Sequence, residues 1–112
     1  MTIYKPCEIV LVNFIFSEGF GFKKRPALIL SSDEYHQSRQ EVIIAAITSN
    51  IERILLGDTK VKEWKKANLL FPSRVTCILQ TIKGEMIERR LGILSSEDFE
   101  QVQKNLKIAL GL

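Results

Sequence analysis

The chain has 112 residues, a length that suits one domain with a single core and is too short for two. Hydrophobic residues make up 46% and charged residues 26%, an ordinary globular composition that argues against disorder. The net charge of +3 is a mild excess, compatible with a nucleic-acid partner or an acidic protein partner and proof of neither. We therefore predict a single domain spanning residues 1–112.

Residue types that build metal and disulfide sites are scarce. Cys7 and Cys77 lie in apolar, strand-like runs without CxxC spacing, so we interpret them as reduced, buried thiols. His36, the one histidine, argues against a zinc cluster and is interpreted as solvated. The sequence has no signal-peptide pattern at its N-terminus and no apolar run of membrane-spanning length. We expect a soluble, cytoplasmic protein without a metal, a cofactor or a membrane segment.

The first predicted strand, Glu8–Phe16, is β-branched and aromatic on both alternating faces. Such a strand is covered on both sides, here by the core and by a second subunit. A polar loop with two glycines, residues 17–24, follows it. Further strands are predicted at Ala27–Ser31, Glu41–Thr48, Ile51–Asp58, Arg74–Ile82 and Arg90–Leu94.

Arg25 stands between that loop and the second strand. Pro26 has no amide hydrogen for a sheet ladder, so it suits the first position of a strand or an edge. Arg25 is then fixed at the rim of the strand, where its planar guanidinium can grip two phosphate oxygens. A solvated basic turn is the alternative, and Lys23 and Lys24 taken alone favour it.

Two helices are predicted. Thr59–Asn68 is interpreted as a short basic helix with Val61 and Trp64 facing inward. Ser95 begins a C-terminal helix as its N-cap, and Asp98 completes a capping box. The core face of that helix is a stripe at helical spacing, formed by Phe99, Val102, Leu106 and Ala109. These elements predict an α+β fold: a small, strongly curved, mostly antiparallel barrel with a C-terminal helix and one short inserted helix.

In this order, the segments resemble the MazF/PemK family of toxin endoribonucleases from bacterial type II toxin–antitoxin systems. The resemblance covers nearly the whole chain. Its matching segments are Glu8–Phe14, Lys24–Ser31, Val42–Ser49, Pro72–Val75, Leu79–Ile82 and Arg90–Ser95. Two positions depart from the family pattern: Cys7 stands where glycine is usual, and Lys83 stands where the family tends to place aspartate.

The resemblance implies an SH3-like barrel of the CcdB/MazF type, a homodimer, and a cognate acidic antitoxin as partner. It also implies metal-independent, sequence-selective cleavage of single-stranded RNA, with the chemistry assigned to Arg25 and Thr48. In such a reaction the ribose 2′-hydroxyl attacks its own phosphate and gives a 2′,3′-cyclic phosphate. The protein must stabilise a dianionic phosphorane. The Arg25 guanidinium suits that charge, and the Thr48 hydroxyl can donate to a non-bridging oxygen.

Proton transfer needs a further group, because arginine does not readily give up a proton. Glu18, in the loop before the second strand, is the candidate base. We expect further substrate contacts from Phe16, Lys23, Lys24, Ser49 and Gln80.

Two other functions are open at this point. A CcdB-like toxin with the same barrel would bind DNA gyrase, would not need the Arg25–Thr48 pairing and would rely on its C-terminal helix. We interpret the end of that helix, residues 108–112, as core packing. A non-catalytic nucleic-acid module would bind strands through stacking and basic grooves without cleaving them.

Overall fold

The structure is a computed structural model and describes residues 4–15 and 22–112. Its elements in chain order are β1 (Glu8–Ile15), β2 (Phe22–Ile29), α1 (Asp33–Ser38), β3 (Glu41–Thr48), β4 (Thr59–Lys60), β5 (Arg74–Lys83), a single 3-10 turn (Gly84–Met86), β6 (Ile87–Ile93) and α2 (Ser96–Leu110). The strands form one antiparallel sheet in the order β4-β5-β3-β2-β1-β6. The predicted mostly antiparallel fold, with a C-terminal helix and one short helix, is confirmed.

Alternate residues of the strands feed two apolar clusters, one on each face of the sheet. The helix-side cluster includes Ile9 and Leu28 and packs against Val102 of α2. The cluster on the opposite face includes Val10 and Val12. β1 therefore has both faces covered within one chain, between its neighbours β2 and β6. The expectation that a second subunit is needed to cover β1 was wrong, because the chain's own two clusters already bury Ile9, Val10 and Val12 completely.

The turn before β1 explains why glycine is favoured at position 7 and how this chain holds a cysteine there. Glu8 N–H donates to Lys5 O at 3.2 Å, and Cys7 between them has a φ of 78°. This is a type II turn with Pro6 at its second position, and its third position favours glycine because φ is positive there. Cys7 tolerates the conformation while its N–H and C=O bond Ile29 O and Leu94 N. The thiol is half-buried, and this burial raises the pKa of Cys7, so the neutral form is favoured.

Two predicted elements in the middle of the chain are absent from the structure. Residues 51–58 form no strand, and residues 62–68 form hydrogen-bonded turns in place of a helix. Those turns are held from outside, since Lys62 and Glu63 N–H donate to the buried Asp98 carboxylate at 3.1 and 3.0 Å. Asp98 is thus no capping-box partner, although Ser95 does cap α2 by accepting from Asp98 N–H at 3.1 Å.

The short helix of the fold is α1, and His36 on it is buried at 4% exposure. The prediction of a solvated histidine was wrong, because the ring forms a buried hydrogen bond with the Ser31 hydroxyl, with Oγ and Nε2 2.5 Å apart. Ser31 Oγ also accepts from Ile43 N–H at 2.9 Å, which ties α1 to β3. His36 is therefore engaged in packing. None of the helices in the described ranges has the length and apolarity needed to cross a bilayer.

The core stripe of α2 is confirmed along most of the helix. Val102 is fully buried, and Phe99 and Leu106 pack against the helix-side cluster. The final turn differs from the prediction, since the apolar residues there are exposed: Ile108 by 65%, Leu110 by 53% and Leu112 by 87%. These side chains at and after the end of α2 are therefore not core packing.

Candidate functional site

The ladder between β2 and β3 ends at Pro26, and this opens a gap at one end of the sheet. Leu30, just after β2, donates its N–H to Ile43 O at 2.9 Å. In an antiparallel ladder every second residue points its N–H and C=O toward the same neighbour, so Leu28 and Pro26 also face β3. Pro26 is the second such residue and has no N–H to give. The last β2–β3 pair is accordingly Ala27 with Ala46. β2 itself begins at Phe22, so Arg25 lies within the strand and not at its start.

Continuing the β2–β3 register into this gap sets Arg25 and Thr48 at facing positions. The three β2–β3 pairs share one uninterrupted register. Extending that register two residues beyond Ala27–Ala46 sets Arg25 opposite Thr48. Residues two apart share a face of a strand, so both side chains lie on the face of Ala27 and Ala46. On the far side of β3, Thr48 pairs with Arg74, which pairs in turn with Lys60 of β4. We call Lys60, Arg74, Thr48 and Arg25 the Thr48 row.

The Arg25 guanidinium is available to a ligand. Arg25 is exposed, and within residues 4–15 and 22–112 it forms no hydrogen bond or ion pair. Lys24 is also exposed but pairs with Glu88 of β6 at 2.7 Å. An unengaged guanidinium beside a gap in the sheet is a suitable anchor for an anion.

The Thr48 hydroxyl is held by the chain just after it. Its Oγ1 accepts from Asn50 N–H at 3.2 Å, and Asn50 Oδ1 accepts from Glu52 N–H at 3.2 Å. These are the local turns that Thr and Asn side chains form at strand ends. Because the Thr48 oxygen is used as an acceptor, its proton remains free to donate. Ser49, between them, is exposed.

Arg74 and Asp58 form a charged pair beneath this turn. Arg74 Nη1 lies 2.5 Å from Asp58 Oδ2, and Arg74 Nε donates to Asn50 O at 2.7 Å. Asp58 also accepts from Leu55 N–H at 2.9 Å and from Cys77 N–H at 3.0 Å. The sequence reasoning missed both residues. The available signal was Gly57-Asp58, which marks a turn with a positive φ (94° at Gly57) followed by an acid.

The other predicted site residues divide into three groups. Lys23 is exposed on β2, near Arg25. Gln80 is exposed on β5 but pairs with Ile44, four residues from Thr48, or about 13 Å along the strand. The structure thus does not bring Gln80 into the Thr48 row. Glu18 and Phe16 lie outside the described residues.

Comparison with solved structures supports the fold. Toxin MazF-mt6 of Mycobacterium tuberculosis is 25% identical, with 94% of this chain and 97% of that chain covered and a TM-score of 0.77. A MazE–MazF crystal structure from Deinococcus radiodurans gives a TM-score of 0.82 at 16% identity, covering 100% of this chain and 99% of that one. An endoribonuclease in complex with its cognate antitoxin, from a mycobacterial species, gives 0.77 at 16% identity, with 97% and 96% covered.

The sequence itself matches one family model over most of its length. Residues 5–110 match the family described as PemK-like, MazF-like toxin of type II toxin–antitoxin system. This range contains all six strands and both helices described above. The chain therefore belongs to the PemK-like, MazF-like toxins of type II toxin–antitoxin systems.

Proposed function

We propose that this toxin is a metal-independent endoribonuclease that cleaves single-stranded RNA at short sequences. The observation that carries the proposal is the β2–β3 register, which, when it is extended past its last pair, sets Arg25 opposite Thr48 at the open end of the ladder. Arg25 supplies an unengaged positive charge beside this gap, and Thr48 supplies a hydroxyl proton there. A structurally similar mycobacterial protein is named an endoribonuclease, which agrees with this chemistry.

The proposed reaction is an internal transesterification. The ribose 2′-oxygen attacks the adjacent phosphorus and loses its proton to a base. The bond from phosphorus to the 5′-oxygen breaks, and that oxygen receives a proton. The products are a 2′,3′-cyclic phosphate and a free 5′-hydroxyl. Arg25 binds the two negative charges that accumulate on the phosphorane, and Thr48 donates to one non-bridging oxygen.

The base is assigned to Glu18. A guanidinium stays protonated and cannot take the 2′-hydroxyl proton. His36, the one imidazole of the chain, is buried on α1 and bonded to Ser31. Glu18 lies in the segment that leads into β2, close in sequence to Arg25. Lys23, Lys24, Phe16 and Ser49 are proposed to contact the RNA beside the cleaved phosphate.

The wild-type protein should cut a long single-stranded RNA in excess EDTA, at a small set of sites. Each cut should leave a 2′,3′-cyclic phosphate on the upstream fragment and a 5′-hydroxyl on the downstream fragment, which mass spectrometry of the fragments detects. A gyrase-binding toxin or a non-catalytic barrel would leave the RNA intact, and loss of cleavage with EDTA would contradict the metal-independent reaction. Incubation with DNA gyrase in parallel distinguishes the first of these alternatives.

We also propose a homodimer, on a different ground from the coverage of β1. Gly57 lies so close to β5 and α2 that an added Cβ would sit 2.9 Å from Cys77 Cβ and 3.0 Å from Ala109 Cβ. The loop before β4, the middle of β5 and the end of α2 therefore meet. Next to these contacts in the sequence are three exposed apolar side chains, the apolar patch: Leu55 (51%), Leu56 (78%) and Ile108 (65%). Exposed apolar patches of this kind mark interaction sites.

Sedimentation should report a dimer at micromolar concentration, and Leu56→Lys should shift it toward monomer because a charge would be buried in the contact. A monomeric wild type would contradict the homodimer.

The second partner, an acidic antitoxin, is proposed to lay a partly disordered tail over the basic residues 23–25 and to order on binding. Excess antitoxin should therefore prevent RNA binding, and unchanged RNA affinity in the saturated complex would contradict this placement.

A further inference from the structure

We propose that Arg74 is a positioning residue, which keeps the Thr48 hydroxyl in its donating orientation through the backbone of Asn50, whose C=O it bonds and whose N–H bonds Thr48. The proposal rests on the proposed function, because it gives the Thr48 proton a task at the phosphate. Arg74 itself does not touch substrate in this scheme. It acts on the turn that follows Thr48.

The contacts form a continuous path from the sheet to the hydroxyl. Arg74 lies opposite Thr48 in the β3–β5 pairing, and its Nε donates to Asn50 O at 2.7 Å. Asn50 N–H in turn donates to Thr48 Oγ1 at 3.2 Å. One guanidinium thus fixes the residue whose amide occupies a lone pair on the Thr48 oxygen. With that lone pair taken, the rotation of the hydroxyl is biased and its proton points away from Asn50.

The charge of Arg74 is already compensated inside the protein. Its side chain is 14% exposed, and its Nη1 lies 2.5 Å from the carboxylate of Asp58, which is 4% exposed. A paired and largely buried guanidinium is a poor phosphate anchor. This separates Arg74 from Arg25, which is exposed and unengaged among the described residues. The two arginines of the Thr48 row therefore have different tasks.

The geometry also requires arginine at this position. The guanidinium reaches two acceptors at once, with Nε on Asn50 O and Nη1 on Asp58. A lysine ammonium is a single point on a flexible stem and cannot reproduce that planar fork. Arg74→Lys keeps the ion pair with Asp58 and releases Asn50. It is the variant that separates positioning from stability.

The test is single-turnover and steady-state cleavage of a short RNA that contains one cut site. Arg74→Lys should lower kcat by about tenfold to a hundredfold, because a small misplacement of a catalytic group has effects of that size. KM should change little, since no RNA contact is removed. In a Thr48→Ala background the same substitution should change kcat by less than about twofold, because the group it positions is gone.

Asp98→Asn is the matched structural control. Asp98 is another buried carboxylate with two backbone partners, but it joins α2 to residues 62–63, and its carboxylate is bonded to neither Thr48, Asn50 nor Arg74. It should lower the melting temperature and leave kcat near the wild-type value. If kcat falls equally in Asp98→Asn and Arg74→Lys, the effect of Arg74 is general loss of stability and the proposal is overturned.

An NMR measurement tests the same path without relying on activity. The Asn50 amide-proton resonance should shift in Arg74→Lys and stay in place in Asp98→Asn. An unshifted Asn50 resonance overturns the positioning role even if RNA cleavage is intact. A shifted resonance in a protein that does not cut RNA supports the contact path and rejects the proposed function, so the two failures are distinguishable. If the rate losses of Arg74→Lys and Thr48→Ala multiply, Arg74 does not act through Thr48.

Discussion

Replacing Arg25 with alanine should slow RNA cleavage by on the order of a hundredfold or more, the typical loss when a preorganised donor to the transition state is removed. Folding should be nearly unaffected, because Arg25 is exposed and makes no ion pair with any described residue. Arg25→Lys should recover only part of the rate, since an ammonium restores charge without the two-point grip. Thr48→Ala should slow cleavage less than Arg25→Ala, because a neutral hydrogen bond is lost.

The matched control is Arg89→Ala. Arg89 is an exposed arginine on β6 that pairs with Leu11, so it lies on the other face of the sheet from the Thr48 row. Gel-resolved rates in EDTA, with circular dichroism and melting for each variant, make the comparison. Full activity in Arg25→Ala, or an equal loss in Arg89→Ala, would contradict a specific role for Arg25.

Replacing Asp58 with alanine should give the largest loss of stability, about 3–5 kcal/mol in the free energy of unfolding. The substitution removes the Asp58 carboxylate, whose Oδ2 lies 2.5 Å from Arg74 Nη1, and leaves the guanidinium unpaired in a largely buried site. It also removes the acceptor for Leu55 and Cys77 N–H. A domain has only about 5–15 kcal/mol in total, so the loss is a large fraction of the stability. Urea denaturation with a fixed m-value measures it.

The comparison for that experiment is Asp33→Asn. Asp33 forms an ion pair with Lys5 at 3.4 Å, but its side chain is 52% exposed. Exposed pairs contribute about 0–1 kcal/mol, so the change should be small. A loss below about 1 kcal/mol in Asp58→Ala would show that the Asp58–Arg74 pair does not hold the loop before β4.

Several parts of the fold could be predicted because they depend on residues close together in the chain. The continuous apolar run within Glu41–Thr48 predicts a strand, and the structure has β3 at those residues. Ser95 as an N-cap and the stripe containing Val102 predict α2 in the same way. The prediction that Pro26 begins a strand or lies on an edge was wrong, since β2 begins at Phe22 and lies between β1 and β3; its missing donor limits only the pairing with β3.

Arg25 and Thr48 could be predicted as catalytic residues from the family resemblance and from the chemistry of a guanidinium and a hydroxyl. Their facing position depends on the register between two strands, and no local pattern encodes that register. The same holds for Asp58 and Arg74, which are 16 residues apart, and for Asp98, which bonds amides 35 and 36 residues away. Residues 51–58 and 61–68 contain apolar and basic periodicity, yet these long-range carboxylate contacts shape them into a loop and turns on either side of β4. Periodicity reflects a residue's neighbours in the chain, whereas buried charges must find partners wherever the tertiary fold brings them.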